Sequence, residues 1–171
     1  MFKVLKKIIS VGSVTEDIPE DETFAELGKQ VKTKLKKSFS GSIAIRAVDS
    51  GSCNGCELEI HALNNAFYDA ERYGIHFVAS PRHADILLVT GPVSKHMEEA
   101  LRRVYQATPE PKWVIAMGEC AINGGIFGEN YATVGSVEKV IPVDLVIPGC
   151  PPTPTKLLQG ILTLLNQHNK K

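Results

Sequence analysis

The most constraining segment of the chain is Asp85–Thr90, Asp-Ile-Leu-Leu-Val-Thr, a short apolar run with no polar alternation. A strand of that kind has no solvent face, so it belongs inside a sheet covered on both sides. Similar short β-rich runs recur at Ile43–Val48, Ile75–Ala79, Trp113–Met117 and Val143–Ile147. Between them lie helical patterns: Cys56–Arg72, carrying Leu58, Leu63, Ala66 and Phe67, then Lys95–Ala107. A last helix is expected from about Thr155 to Leu165, with Pro154 near its first turn. Strands alternating with helices require parallel pairing and crossover connections.

The fold expected is therefore α/β: a three-layer, flavodoxin-like parallel sheet with helices on both faces. A length of 171 residues suits one compact domain, and 43% hydrophobic with 22% charged residues is ordinary for a soluble one. Nineteen basic residues balance nineteen acidic ones, so no net charge draws the chain to nucleic acid. No apolar run approaches the ~20 residues of a membrane span. Met1–Ile9 is apolar but broken by Lys3, Lys6 and Lys7, with no small-residue cleavage site following; it does not read as a secretory signal.

The first forty residues differ from the remainder. Glu16–Glu26 is acidic, whereas Lys29–Lys37 is basic. Leu27, Val31, Leu35 and Phe39 recur every four residues, forming one apolar stripe on a helix surrounded by Lys29, Lys32, Lys34, Lys36 and Lys37. The expected organisation is an N-terminal arm (1–40) with this amphipathic basic helix, then an α/β domain (41–171). The helix either rests on its own domain or docks on a partner protein or an anionic membrane surface.

The four cysteines are Cys53, Cys56, Cys120 and Cys150. Each follows the carboxyl end of an expected strand, where open parallel sheets build their ligand crevice. Three loops thus deliver four thiols to one edge of the sheet. Gly51, Gly55, Gly118 and Gly149 flank them and permit close backbone approach. Pro148, Pro151, Pro152 and Pro154 stiffen the last loop.

Several chemistries compete for such a site. A 4Fe–4S cluster takes four thiolates and tolerates one close pair plus two distant ones. Structural zinc usually takes two close pairs, and here only Cys53 and Cys56 form one. Disulfides suit neither a reducing compartment nor a chain large enough for its own core. A redox dithiol would explain Cys53 and Cys56 but not the other two. Spacing and placement rank the iron–sulfur cluster first, with zinc still open. Gly51-Ser52-Cys53-Asn54-Gly55 matches neither phosphate-binding glycine pattern, and Gly124-Gly125 with Gly128 reads as an irregular surface connection.

Five ordered motifs carry a family resemblance: Ser52-Cys53-Asn54-Gly55-Cys56-Glu57, Ser80-Pro81-Arg82-His83-Ala84-Asp85, Thr90-Gly91-Pro92-Val93, Ile141-Pro142-Val143-Asp144 and Pro148-Gly149-Cys150-Pro151-Pro152. From about Ile43 to the last helix the chain resembles the small, electron-transfer subunit of membrane-bound energy-converting nickel–iron hydrogenases. It resembles in particular the formate hydrogenlyase and hydrogenase-4 types, within the family of the 20 kDa (B) subunit of complex I. Complex I members carry adjacent cysteines where this chain has Gly55, with Cys53 supplying the thiol. The resemblance implies one 4Fe–4S cluster on Cys53, Cys56, Cys120 and Cys150. It implies electron relay between a ferredoxin-like 4Fe–4S subunit and the nickel–iron site of a large subunit. It also implies further membrane subunits and a peripheral place on the cytoplasmic side of the cell membrane. A complex I-like quinone or sulfur reductase without nickel is the alternative, and a zinc-stabilised scaffold a third.

Other polar residues carry weaker expectations. Glu57 and Glu59 stand where a helix N-terminus favours anions, or act as relay or interface carboxylates. Arg82 and His83 precede the buried strand, with His83 expected to be structural. His61, His76, His96 and His168 lack mutual metal-ligand spacing. Asp144 is expected to hold loop backbone, and Trp113 to be core.

Overall fold

The computed structural model describes residues 2–11 and 22–168, so the acidic run over 16–21 lies outside the described residues. A helix α1 spans Phe2–Val11 and a second, α2, Glu22–Ser38. The α/β body follows: β1 (Ile43–Asp49), α3 (Gly55–Leu63), β2 (Ile75–Phe77), β3 (Ile86–Thr90), α4 (Lys95–Ala107), β4 (Trp113–Met117), α5 (Glu119–Asn123), β5 (Leu145–Ile147) and α6 (Pro154–His168). The sheet is five-stranded in the order β2-β1-β3-β4-β5, and every pair is parallel. The expected parallel architecture is what the chain adopts.

Side chains alternating along each strand divide the core in two. Ile86 and Leu88 of β3, with Ile115 and Met117 of β4, face a cluster completed by α2, α3 and α6. Leu87 and Val89, with Val114 and Ala116, face a second cluster containing Leu101 of α4 and Ala121 of α5. All five residues of β3 and all five of β4 are buried, which is why neither strand shows polar alternation. Two aspartates fix where strands begin. Asp85 Oδ2 accepts from the Ala44 amide at 2.8 Å, and Asp144 Oδ2 from the Val114 amide at 2.8 Å. Asp144 therefore holds backbone as expected, although the backbone is that of β4.

The basic helix forms, and its stripe faces inward. Phe24, Val31 and Leu35 are at most 2% exposed and share a core with Ile43, Ile75 and Leu164. Leu27 and Phe39 pack at the margin of that core, and Phe39 meets Trp113 edge-to-face at 5.3 Å. Each such side chain contributes about 1.5–3 kcal/mol by burial. Of the two readings of α2, the observed one for its apolar face is that it rests on its own domain.

Three expected boundaries need correction. The helix expected over Cys56–Arg72 ends at Leu63. The Asn65 side chain there accepts from the amides of Phe67 and Tyr68, at 2.9 Å each, turning the chain before a short 3₁₀ turn at Ala70–Tyr73. Apolar residues in both segments mimic one continuous periodicity. The strand expected over Ile75–Ala79 stops at Phe77, because Ser80 caps a 3₁₀ turn over Pro81–His83. The last strand starts at Leu145 rather than Val143, after the Asp144 contact.

Candidate functional site

The loop after β1 is shaped by its own side chains. Asp49 Oδ1 accepts from the amides of Gly51 and Ser52 at 2.8 Å each, and Ser52 Oγ from the Asn54 amide at 3.1 Å. Asn54 adopts a left-handed φ of 70°, after which α3 begins. This leaves Cys53 exposed and Cys56 half-buried in the first helical turn. A Cβ at Gly55 would lie 3.6 Å from Cys53 Sγ and 3.9 Å from Pro151 Cδ, so this loop abuts the one that carries Cys150.

The loops after β4 and β5 are tied to each other. The Gly118 amide donates to the Ile147 carbonyl at 2.8 Å and the Glu119 amide to the Gly149 carbonyl at 3.0 Å. The Glu119 carboxylate accepts in return from the Gly149 amide at 3.2 Å. Two glycines make room for sulfur. A Cβ at Gly118 would lie 2.8 Å from Cys56 Sγ, and one at Gly125 would lie 2.8 Å from Cys120 Sγ. The Gly124-Gly125 stretch opens an irregular, largely exposed connection, as expected, and in addition curls against Cys120. The four expected site cysteines come together at one end of the sheet.

Electrostatics register the same convergence. Burial pushes the Cys56 thiol up to about 12; Glu57 and the thiols of Cys120, Cys53 and Cys150 push in the same direction. Cys120 is also raised, first by burial and then by Cys150 and Cys53. All four cysteines are free thiols. Four thiolates gathered here would repel one another, and a cationic inorganic core would relieve that repulsion. Among the described residues, no three His, Cys, Asp or Glu side chains close around the space of a single ion.

Several contacts around the site escaped the sequence reading. Glu57 accepts from Ser52 Oγ at 2.5 Å and from Thr90 Oγ1, joining the Cys56 helix to the end of β3. Glu119 lies beside a cysteine, and its tie to Gly149 has no local sequence pattern. Arg46, Glu57, His61 and Asn64 line a crevice of about 310 Å³ between β1, α3 and the end of β2. Arg46 Nε is buried there without a hydrogen-bond partner. Glu59 is half-buried in α3, while Arg82 and the histidines His61, His76, His83 and His96 are exposed. The side chain of His168 lies outside the described residues. Trp113 is core, 6% exposed.

Residues 53–164 match the family described as NADH ubiquinone oxidoreductase, 20 Kd subunit. Formate hydrogenlyase subunit 7 of Escherichia coli is 45% identical over 154 residues, covering 90% of this chain and 60% of that protein. The chain thus spans less than two thirds of that relative. A probable membrane-bound hydrogenase subunit, mbhJ, of Pyrococcus furiosus is 51% identical over 134 residues, 78% of this chain and 80% of that one. Among solved structures, a chain of the membrane-bound sulfane sulfur reductase, an archaeal respiratory membrane complex, superposes with a TM-score of 0.67. It is 34% identical and aligns over 86% of this chain and 76% of its own. These relatives are subunits of oxidoreductase complexes, and this chain belongs to the NADH ubiquinone oxidoreductase 20 kDa subunit family.

Proposed function

We propose that this chain is an electron-transfer subunit in which Cys53, Cys56, Cys120 and Cys150 hold one 4Fe–4S cluster. It would relay electrons between a ferredoxin-like 4Fe–4S subunit and the nickel–iron site of a large subunit, within a membrane-bound hydrogenase complex on the cytoplasmic side. The observation that carries this reading is the meeting of four free thiols with two glycines cleared of Cβ atoms beside them. When bound, such a cluster supplies one-electron transfer.

The chain's own residues do the positioning. Gly118 and Gly125 leave space beside Cys56 and Cys120. Glu119 locks the Cys120 and Cys150 loops together, and Glu57 anchors the Cys56 turn to β3. Leu58, Ile126, Phe127 and Tyr131 are exposed on α3 and on the segment after Cys120. Large apolar side chains clustered in sequence around thiol loops suit a seat for the large subunit, which must approach closely for electrons to pass.

A second reading replaces the nickel–iron partner with a nickel-free large subunit of a quinone or sulfur reductase. The likeness to a chain of the sulfane sulfur reductase supports it. Iron and acid-labile sulfide analysis of this chain, prepared anaerobically by itself, tests the cluster. The expected result is about four of each per site on this chain, paramagnetic on reduction, with Cys120→Ala losing the cluster or converting it to a three-iron form. Zinc without iron, or an unchanged four-iron signal in that variant, would overturn the assignment. Two C-x-x-C pairs and bound nickel in the large subunit would separate the hydrogenase from the nickel-free reading.

A further inference from the structure

Every described side chain of helix α1 is exposed. Phe2 is 87% exposed and Ile9 79%, and Val4 and Val11 are exposed as well. At about 100° per residue, Lys3, Lys6, Lys7 and Ser10 fall within one arc of a helical projection. Phe2, Val4, Ile9 and Val11 occupy the remaining side, spread across roughly half the circumference. The helix contains three lysines, all exposed, and no acidic residue.

We propose that α1 lies in the plane of an anionic lipid bilayer surface, its apolar side immersed and its lysines at the headgroups. A protein groove reads a narrow stripe of side chains at i, i+3, i+4 and i+7. An apolar side spanning half a helix, as here, suits a fluid surface into which half the cylinder sinks. Charge fits the same occupant, since three lysines without a counter-charge match a sheet of phosphodiester headgroups. No helix among the described residues is long and apolar enough to cross a membrane, and relatives of the chain are membrane-bound. An in-plane helix would give this chain its own bilayer contact. The inference rests on the proposed membrane-attached position of the complex, not on its cluster or its reaction.

The test is partition of the full chain onto vesicles of phosphatidylglycerol mixed with phosphatidylcholine, against phosphatidylcholine alone. Binding to the anionic vesicles is expected, weakening with added salt. Reversing all three lysines (Lys3→Glu, Lys6→Glu, Lys7→Glu) should reduce it on the order of a hundredfold. Phe2→Ser with Ile9→Ser should reduce it at least about tenfold. Because the five substituted side chains are exposed, both variants should keep the wild-type thermal melt and the wild-type iron content. A Phe2→Trp probe should shift its emission to the blue on binding and be quenched by brominated lipid. Absence of vesicle binding, binding unchanged in both variants, or a probe that brominated lipid does not quench would each overturn the proposal. Crosslinking of α1 to a subunit of the complex in place of lipid would do so too. A wild-type chain that binds the anionic vesicles but holds no iron would count against the cluster assignment alone.

Discussion

Gly118 faces the sulfur of Cys56: a Cβ at position 118 would lie 2.8 Å from Sγ. Its φ of +87° is also one that side chains rarely adopt. Gly118→Ala should therefore push Cys56 out of register, and iron content should fall several-fold while the far-UV spectrum stays native. Full iron loading in this variant would mean that the site has slack that the structure does not suggest.

Helix α2 tests where the folding unit starts. Leu35 is fully buried against the sheet, so Leu35→Ala should cost about 2–5 kcal/mol in denaturant unfolding. Deletion of residues 1–40 strips Phe24, Val31 and Leu35 from the core and should lower the melting temperature steeply.

The exposed apolar residues after Cys120 offer a test of subunit assembly. Ile126 is 90% exposed and Tyr131 93%. Ile126→Asp with Tyr131→Asp should leave the chain's own melt within about 0.5 kcal/mol of wild type. Co-purification of the large subunit should nevertheless drop sharply. Undiminished assembly would move the large subunit to another surface.

The cluster-free chain should be alkali-sensitive. Folded Cys56 keeps its proton to about 12, whereas the ordinary thiol value is 9.0. Above pH 9 the unfolded chain sheds a proton that the folded chain retains, so unfolding gains ground. This contribution to stability is intact below pH 9 and declines progressively towards pH 12. Cys56→Ser should flatten the decline in melts run anaerobically across that window.

The fold was legible where periodicity is purely local. Lys95–Ala107 and Trp113–Met117 form the elements their patterns predict, to the residue. Legibility failed at Asn65, whose side chain turns the backbone within a stretch that still looks amphipathic. The thiols could be placed at one sheet edge because parallel connectivity puts every strand-to-helix loop there. Glu119 with Gly149 and Gly125 with Cys120 were beyond reach, since each depends on which loops become neighbours in space.

The thiols come from loops after β1, β4 and β5, and β5 is the last strand of the sheet. A group held by all four can close only after the chain has been made through Cys150 and its final strand docked beside β4. Loading such a site would thus be a late event in the life of the polypeptide, and a filled site would certify that the whole sheet has been assembled in order. A chain truncated before β5 would keep three of its sulfurs and fail that inspection.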